Sequence, residues 1–245
     1  MRDASRYTKS ADGGLIDINA VDPDNRYVRG PYRCLSCDHL MVPALGRTRK
    51  HHFKHKAGRP GSCFDETYLH QLGKLTLFNA LSDAIRNNES FPLTRPQSII
   101  CDRNAAEFGV TCTSRTHIFA DNLARRFDSI EMEKGVAGFI ADLLLTSSDS
   151  DDNLLLEIVV THQSEQEKIS SGLSIVEIEI KNEDDIETLK VGIDTTSANV
   201  KCYNLPALEG VPQRCIDPCD MPCVLFLLYD SGKAWYSRTS SRSVA

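Results

Sequence analysis

Nothing in this 245-residue chain is long and apolar enough to cross a bilayer. Its longest apolar run, Cys223–Tyr229, is a strand's length, far short of the roughly 20 residues a spanning helix needs. An apolar stretch near the N-terminus is also missing, so no secretory signal is read and the expected compartment is the reducing cytoplasm. In that setting the nine cysteines read as metal ligands or buried thiols rather than disulfides. There are no internal repeats and no coiled-coil pattern, which excludes a solenoid or a rod. A formal net charge of −6 argues against a generic polyanion binder.

What is there is an ordinary globular composition, 41% apolar and 25% charged, in a length that suits one large domain or two small ones. The average charge hides a segregation. Between Arg26 and Arg59 nine Lys and Arg stand against one acid, Asp38, a net of +8 that leaves −14 on the rest. A basic lobe beside an acidic body suits a protein that grips phosphates at one end and holds divalent cations at the other.

The thiols are spaced for metal. Cys34-x-x-Cys37 is followed by His51-His52-Phe-Lys-His55 and Cys63, the spacing of a structural zinc knuckle. Cys34 and Cys37 supply two ligands, while His52, His55 and Cys63 compete for two places, with His55 and Cys63 preferred. His51 reads as a solvated or phosphate-facing neighbour. Residues 26–63, which show little periodicity, form the zinc lobe, where metal replaces core. A second set, Cys215, Cys219 and Cys223, is interleaved with Pro218 and Pro222 and so is not a helix face. Completed by Cys202, Cys101 or Cys112 it could hold a second zinc; buried free thiols are the alternative.

Helical periodicity begins at Asp65 and ends at Asn87-Asn88, with Leu69, Leu72, Leu75, Leu77, Phe78, Leu81 and Ile85 on one face. On that helix Glu66, His70 and Lys74, at i, i+4 and i+8, form one polar stripe. Leu93 to Arg115 reads as loop. Strands are expected over 127–133, 138–145 and 154–160, a short helix over 163–172, and a further strand over 175–180. After Lys190 the pattern weakens into Pro-rich loops before a terminal hairpin at 223–229 and 234–238. The expected division is 1–63 for the arm and zinc lobe, 64–190 for a core, and 191–245 for a Cys-rich extension.

Asp142 and Glu157 each lie inside an apolar strand, an expensive place for a carboxylate unless something pairs with it. Two such groups on adjacent strands can converge on Mg2+ or Mn2+, and a cation so held activates water and offsets charge on a phosphate. Alternatively, both are rim residues paired with Arg or Lys.

The order helix, strand hairpin with Asp142 and Glu157, helix, strand resembles the restriction-endonuclease-like PD-(D/E)xK nuclease core, αβββαβ. The upstream pattern Cys34-x-x-Cys37, His52-Phe-x-His55, Cys63, Glu66-x-x-x-His70-x-x-x-Lys74 is similar to the CoiA-like competence nucleases, which couple a zinc lobe to that core. The resemblance covers roughly residues 30–180. It implies an α/β, metal-dependent nuclease hydrolysing DNA, with structural Zn2+ and with Glu66, Asp142 and Glu157 on catalytic Mg2+ or Mn2+. It further implies bacterial DNA processing, in competence or in anti-phage defence, with a separately encoded protein partner or a homodimer. The family's lysine two residues after Glu157 is here Val159, which can neither orient water nor stabilise charge, although glutamine often takes that place. His162, Lys168 and Lys74, in that order, are the available substitutes. Arg47, Arg49, Lys50, Lys54, Lys56 and Arg59 are the expected phosphate contacts, with Arg125-Arg126 as a second patch. Two rival readings stand beside this one: a catalytically inactive zinc-containing module that binds nucleic acid or protein, and a nuclease subunit activated by a partner.

Overall fold

The computed structural model describes residues 4–103, 105–109, 111–161, 165–214 and 222–240. The chain begins with β1 (Tyr7–Lys9), β2 (Leu15–Asp17), β3 (Tyr32–Arg33), β4 (Leu40–Ala44), β5 (His52–His55) and α1 (Asp65–Asn87). Next come β6 (Pro92–Cys101), α2 (Ala105–Phe108), β7 (Cys112–Asn122), α3 (Leu123–Arg126), β8 (Ser129–Val136), β9 (Phe139–Thr146) and β10 (Asn153–Val159). The remainder is α4 (Gln166–Ile169), β11 (Ile175–Glu179), α5 (Ile186–Leu189), β12 (Ile193–Asp194), β13 (Val200–Tyr203), β14 (Val211–Pro212), β15 (Pro222–Leu228) and β16 (Ala234–Ser240). The architecture is mixed α/β, dominated by sheets. Among the described residues no helix is long and apolar enough to cross a membrane.

Two compact units emerge. The larger is built from the chain up to Arg95 and from Phe119 to Pro206; the smaller from Pro96–Ile118 and the chain from Ala207 onward.

In the larger unit α1 runs as its apolar period demands. Asp65 and Glu66 in the first turn face the positive end of the helix dipole, and Asn88 closes the last turn at φ 55, donating its N–H to Ala84 and Ile85. Leu72, Leu77 and Leu81 are fully buried against Leu143, Leu145, Leu154, Leu156, Val176 and Ile178 of the central sheet. Each such side chain contributes about 1.5–3 kcal/mol. Gly73 permits the close approach: a Cβ there would lie 2.2 Å from Ile180 Cδ1 and 3.0 Å from Ile158 Cγ2.

That sheet has the order β13-β11-β10-β9-β8. Its pairs are antiparallel except β10 with β11, where Leu155 faces Ile175 and Glu157 faces Glu177 in parallel register. The parallel step requires a crossover, and α4 lies within it. The N-terminal strands form a separate sheet, β2-β1-β3-β4-β5, over a small core of Ile16, Ile18, Tyr32, Met41 and Phe53. It is tied to the central layer by hydroxyls. Tyr7 OH donates to Glu187 (2.8 Å) and Tyr7 N–H to the Tyr68 hydroxyl of α1 (3.2 Å), while Arg6 donates its backbone N–H to Glu183 (2.8 Å) and pairs with Glu187 (2.9 Å).

The stretch read as loop, Leu93 to Arg115, contains β6 and the start of β7, two long strands between α1 and β8. Arg95 and Pro96 break the alternation of β6; it pairs with β7 nearby, but its other partners β12 (Leu93 with Ile193) and β14 (Ile99 with Val211) lie far along the chain, beyond the reach of local periodicity. The helix expected over 163–172 is a single turn, α4. The region after Lys190 carries short strands where loops are expected. The terminal hairpin is present as β15–β16 in the smaller unit.

Candidate functional site

The lobe gathers four ligands. Cys34 and Cys37 flank the turn after β3, closed by Asp38 N–H donating to Cys34 O (3.0 Å). His55 ends β5, and Cys63 lies just ahead of α1. Their ligand atoms all lie within 4.8 Å of one another. Cys34 Sγ is 3.7 Å from Cys63 Sγ, and Cys37 Sγ is 3.3 Å from His55 Nε2. A tetrahedral zinc with Zn–S near 2.3 Å sets S···S edges of about 3.8 Å, so the donors are spaced as the ion requires. The four could hold a zinc ion. Burial pushes the Cys34 thiol up to about 12 and also raises Cys63. At Cys37 burial is outweighed by hydrogen bonds from the His39 backbone, His55 and the other thiols, leaving it at about 6. A bound cation takes all three as thiolates.

His52, a competitor for the set, lies outside it, with its Nδ1 2.9 Å from the Lys50 carbonyl. On β5 alternate side chains point to opposite faces, so Phe53 and His55 turn inward together and His52 and Lys54 turn away. Of the second thiol set, Cys215, Cys219 and the Cys223 side chain lie outside the described residues; Cys202 is exposed on β13.

The stripe on α1 meets three strands in order. Glu66 accepts from the Thr161 hydroxyl just past β10. His70 Nε2 lies 3.0 Å from Asp142 Oδ2 on β9, and Lys74 Nζ donates to Glu133 Oε1 on β8 at 2.6 Å.

Asp142 stands where the sheet opens. The β9–β10 ladder runs from Asn153 opposite Thr146 to Leu156 opposite Leu143 and stops there. Beyond it the Asp142 carboxylate accepts the Ile158 N–H at 2.9 Å in place of a backbone partner. Glu157 is buried beside Lys168 of α4, Nζ to Oε1 2.7 Å, and the same ammonium donates to Ile140 O at 2.7 Å. His70, Asp142, Glu157, Glu165, Lys168 and Phe139 line one cavity of about 430 Å³. Glu66 lines an adjoining cleft of about 330 Å³, which shares His70 and Ile158 with the first.

The two carboxyls are poised differently. Burial pushes Asp142 up, but the His70 hydrogen bond and charge, the Ile158 N–H and Lys74 outweigh it and hold it below the usual carboxylate range. At Glu157 burial prevails over the Lys168 ion pair, and the carboxyl stays above its ordinary value. Among the described residues only the Cys/His set brings three or more ligand atoms within 4.8 Å, so Glu66, Asp142 and Glu157 are not gathered to that degree.

Of the lysine substitutes, Lys168 is in the cavity, Lys74 is buried outside it, and His162 lies outside the described residues. The Val159 side chain is buried on β10. Arg47, Arg49, Lys50, Lys54 and Lys56 are exposed on and beside the β4–β5 hairpin. Arg59 is not available in the same way, since its guanidinium donates to Cys63 O (2.8 Å) and Asp65 (2.6 Å). Arg125 is exposed, whereas Arg126 is held by Asp121 and Asp152. Glu133, the partner of Lys74, is missed by periodicity, because Glu131-Met-Glu133-Lys134 reads as an ordinary solvated strand.

No known protein family, curated protein or solved structure matches this chain.

Proposed function

We propose that this chain is a Mg2+- or Mn2+-dependent nuclease that hydrolyses DNA, with a restriction-endonuclease-like core made by α1, β8, β9, β10, α4 and β11. The observation that carries this reading is one cavity lined by two strand-borne carboxylates, Asp142 and Glu157, and by an ammonium, Lys168, from the crossover helix. Oxygen donors opening onto a polar cavity are the chemistry a hard cation takes. When bound, such a cation lowers the pKa of a coordinated water and offsets charge on the scissile phosphate.

The chain's own residues have separable roles. Asp142 and Glu157 would hold the cation, and Glu66 in the adjoining cleft is the third carboxylate of this reading. His70 orients Asp142. Lys168 supplies from α4 the positive charge that Val159 cannot supply from β10; it keeps Glu157 paired and faces a phosphate in the cavity. Arg47, Arg49, Lys50, Lys54 and Lys56 contact the backbone of the substrate, a sequence-independent grip. The likeness to CoiA-like nucleases adds a setting, cytoplasmic bacterial DNA processing or anti-phage defence, with a separately encoded partner.

A second reading has its own support: both carboxylates are already matched by His70 and Lys168. That favours a binding module, or a subunit whose site opens only with a partner. Incubation of supercoiled plasmid and single-stranded DNA with about 5–10 mM Mg2+ or Mn2+ decides between them. The nuclease reading expects cleavage by the wild type and at least a hundredfold loss in Glu157→Ala. Equal products from both proteins sink the metal assignment. No products from either, with zinc bound and no Mn2+ taken up, leave the binding module.

A further inference from the structure

Glu133 is unusual in three respects. Its φ is +52 in the body of β8, a left-handed conformation rarely adopted by residues with a side chain and uncommon inside a strand. The β8–β9 register passes from Met132 opposite Leu143 to Lys134 opposite Ala141, so the rung that would join Glu133 to Asp142 is absent while its neighbours are kept. Finally, the Glu133 carboxylate is held at 2.6 Å by Lys74, which is only 3% exposed. A buried ammonium is a costly way to fill a helix face, and strained backbone persists only where its surroundings over-determine it.

The missing rung has a beneficiary. Asp142 is released from the ladder on its β8 side at the same level where the β10 ladder ends, and its carboxylate turns to the Ile158 N–H and His70 Nε2. Lys74 does not line the cavity and so reaches no substrate there. We propose that Lys74 and Glu133 are positioning residues that act through Asp142: their ion pair, buried at Lys74 and open to solvent at Glu133, holds β8 in its left-handed kink, and the kink keeps Asp142 aimed into the cavity. The catalytic weight of Asp142 rests on the nuclease reading, whereas its placement is measurable without cleavage.

The reporter is the Ile158 amide, whose hydrogen-bond acceptor is Asp142, and the control is the Leu155 amide, which donates to Ser174 O at 2.9 Å. Native-state hydrogen exchange is followed by NMR in the wild type, Lys74→Met, Lys74→Arg and Glu133→Val. Methionine keeps the volume of Lys74 without its charge, and a β-branched residue at 133 disfavours φ above zero. In Lys74→Met and Glu133→Val the Ile158 amide should exchange about tenfold faster or more while Leu155 keeps its protection, and Lys74→Arg should restore the wild-type rate. Ile158 protection unchanged in both variants, or Ile158 and Leu155 accelerating together, would overturn the proposal in favour of simple space filling. The Ile158 effect in the variants, beside a wild type that cleaves nothing, would instead count against the nuclease reading alone.

Discussion

At Glu157 burial and the Lys168 ammonium pull one carboxyl in opposite directions. Lys168→Met would leave that carboxylate enclosed and unmatched, an expected loss of roughly 3–5 kcal/mol at neutral pH. A carboxyl whose native pKa is raised is favoured below its unfolded value and disfavoured as pH climbs through the native one. The deficit of Lys168→Met against wild type should therefore be largest near pH 7 and vanish below about pH 4, read by urea denaturation across that range. Asp142 has the opposite sign. Its pKa is lowered on folding, so its stabilisation is full above the unfolded value of about 3.9 and is lost as pH falls through the native one. Wild type should outlast Asp142→Asn at pH 6 and converge on it toward pH 3; a constant gap would mean that the His70 contact does not depend on charge.

Among the elements, α1 connects the metal lobe to the cavity, and its fit rests on Gly73. Alanine there would improve helix propensity by about 1 kcal/mol, yet its methyl would meet Ile180 and Ile158 in a filled core. We expect Gly73→Ala to be destabilising by about 1–3 kcal/mol in thermal or urea unfolding, overpacking winning over propensity. At the lobe, one zinc per chain is expected by metal analysis and should be lost in Cys37→Ser. These elements are legible in the sequence for physical reasons. The apolar period of α1 is continuous and Asn88 stops it; metal ligands must sit close in sequence when little core supports them. β6 is illegible because Pro96 interrupts its pattern and two of its partners, β12 and β14, lie about a hundred residues away. His52 competes with the preferred His55 in the sequence because only the two-residue period of β5 decides which histidine turns inward. Glu133 is invisible because backbone handedness leaves no trace in composition.

For the molecule as a whole, the basic segment between Arg26 and Arg59 is set against a strongly acidic remainder. If that segment grips phosphates, Arg47→Ala, Arg49→Ala and Lys50→Ala together should weaken DNA binding about tenfold or more. They should also flatten the log–log salt dependence by about 2–3, measured by fluorescence anisotropy. An unchanged slope would place the contact elsewhere. The ties between the N-terminal sheet and the central layer have a consequence in time. The zinc ligands Cys34 and Cys63 are 29 residues apart, whereas Tyr7 waits for Glu187, 180 residues downstream. At about 5–20 residues per second of synthesis, a metal could be captured within seconds of its ligands emerging, while the Tyr7 hydroxyl waits roughly 10–35 s for Glu187. During translation an ion held there would thus be the early scaffold of this chain. The carboxylates of Glu183 and Glu187 are its late latch, closed only when the ribosome has delivered α5.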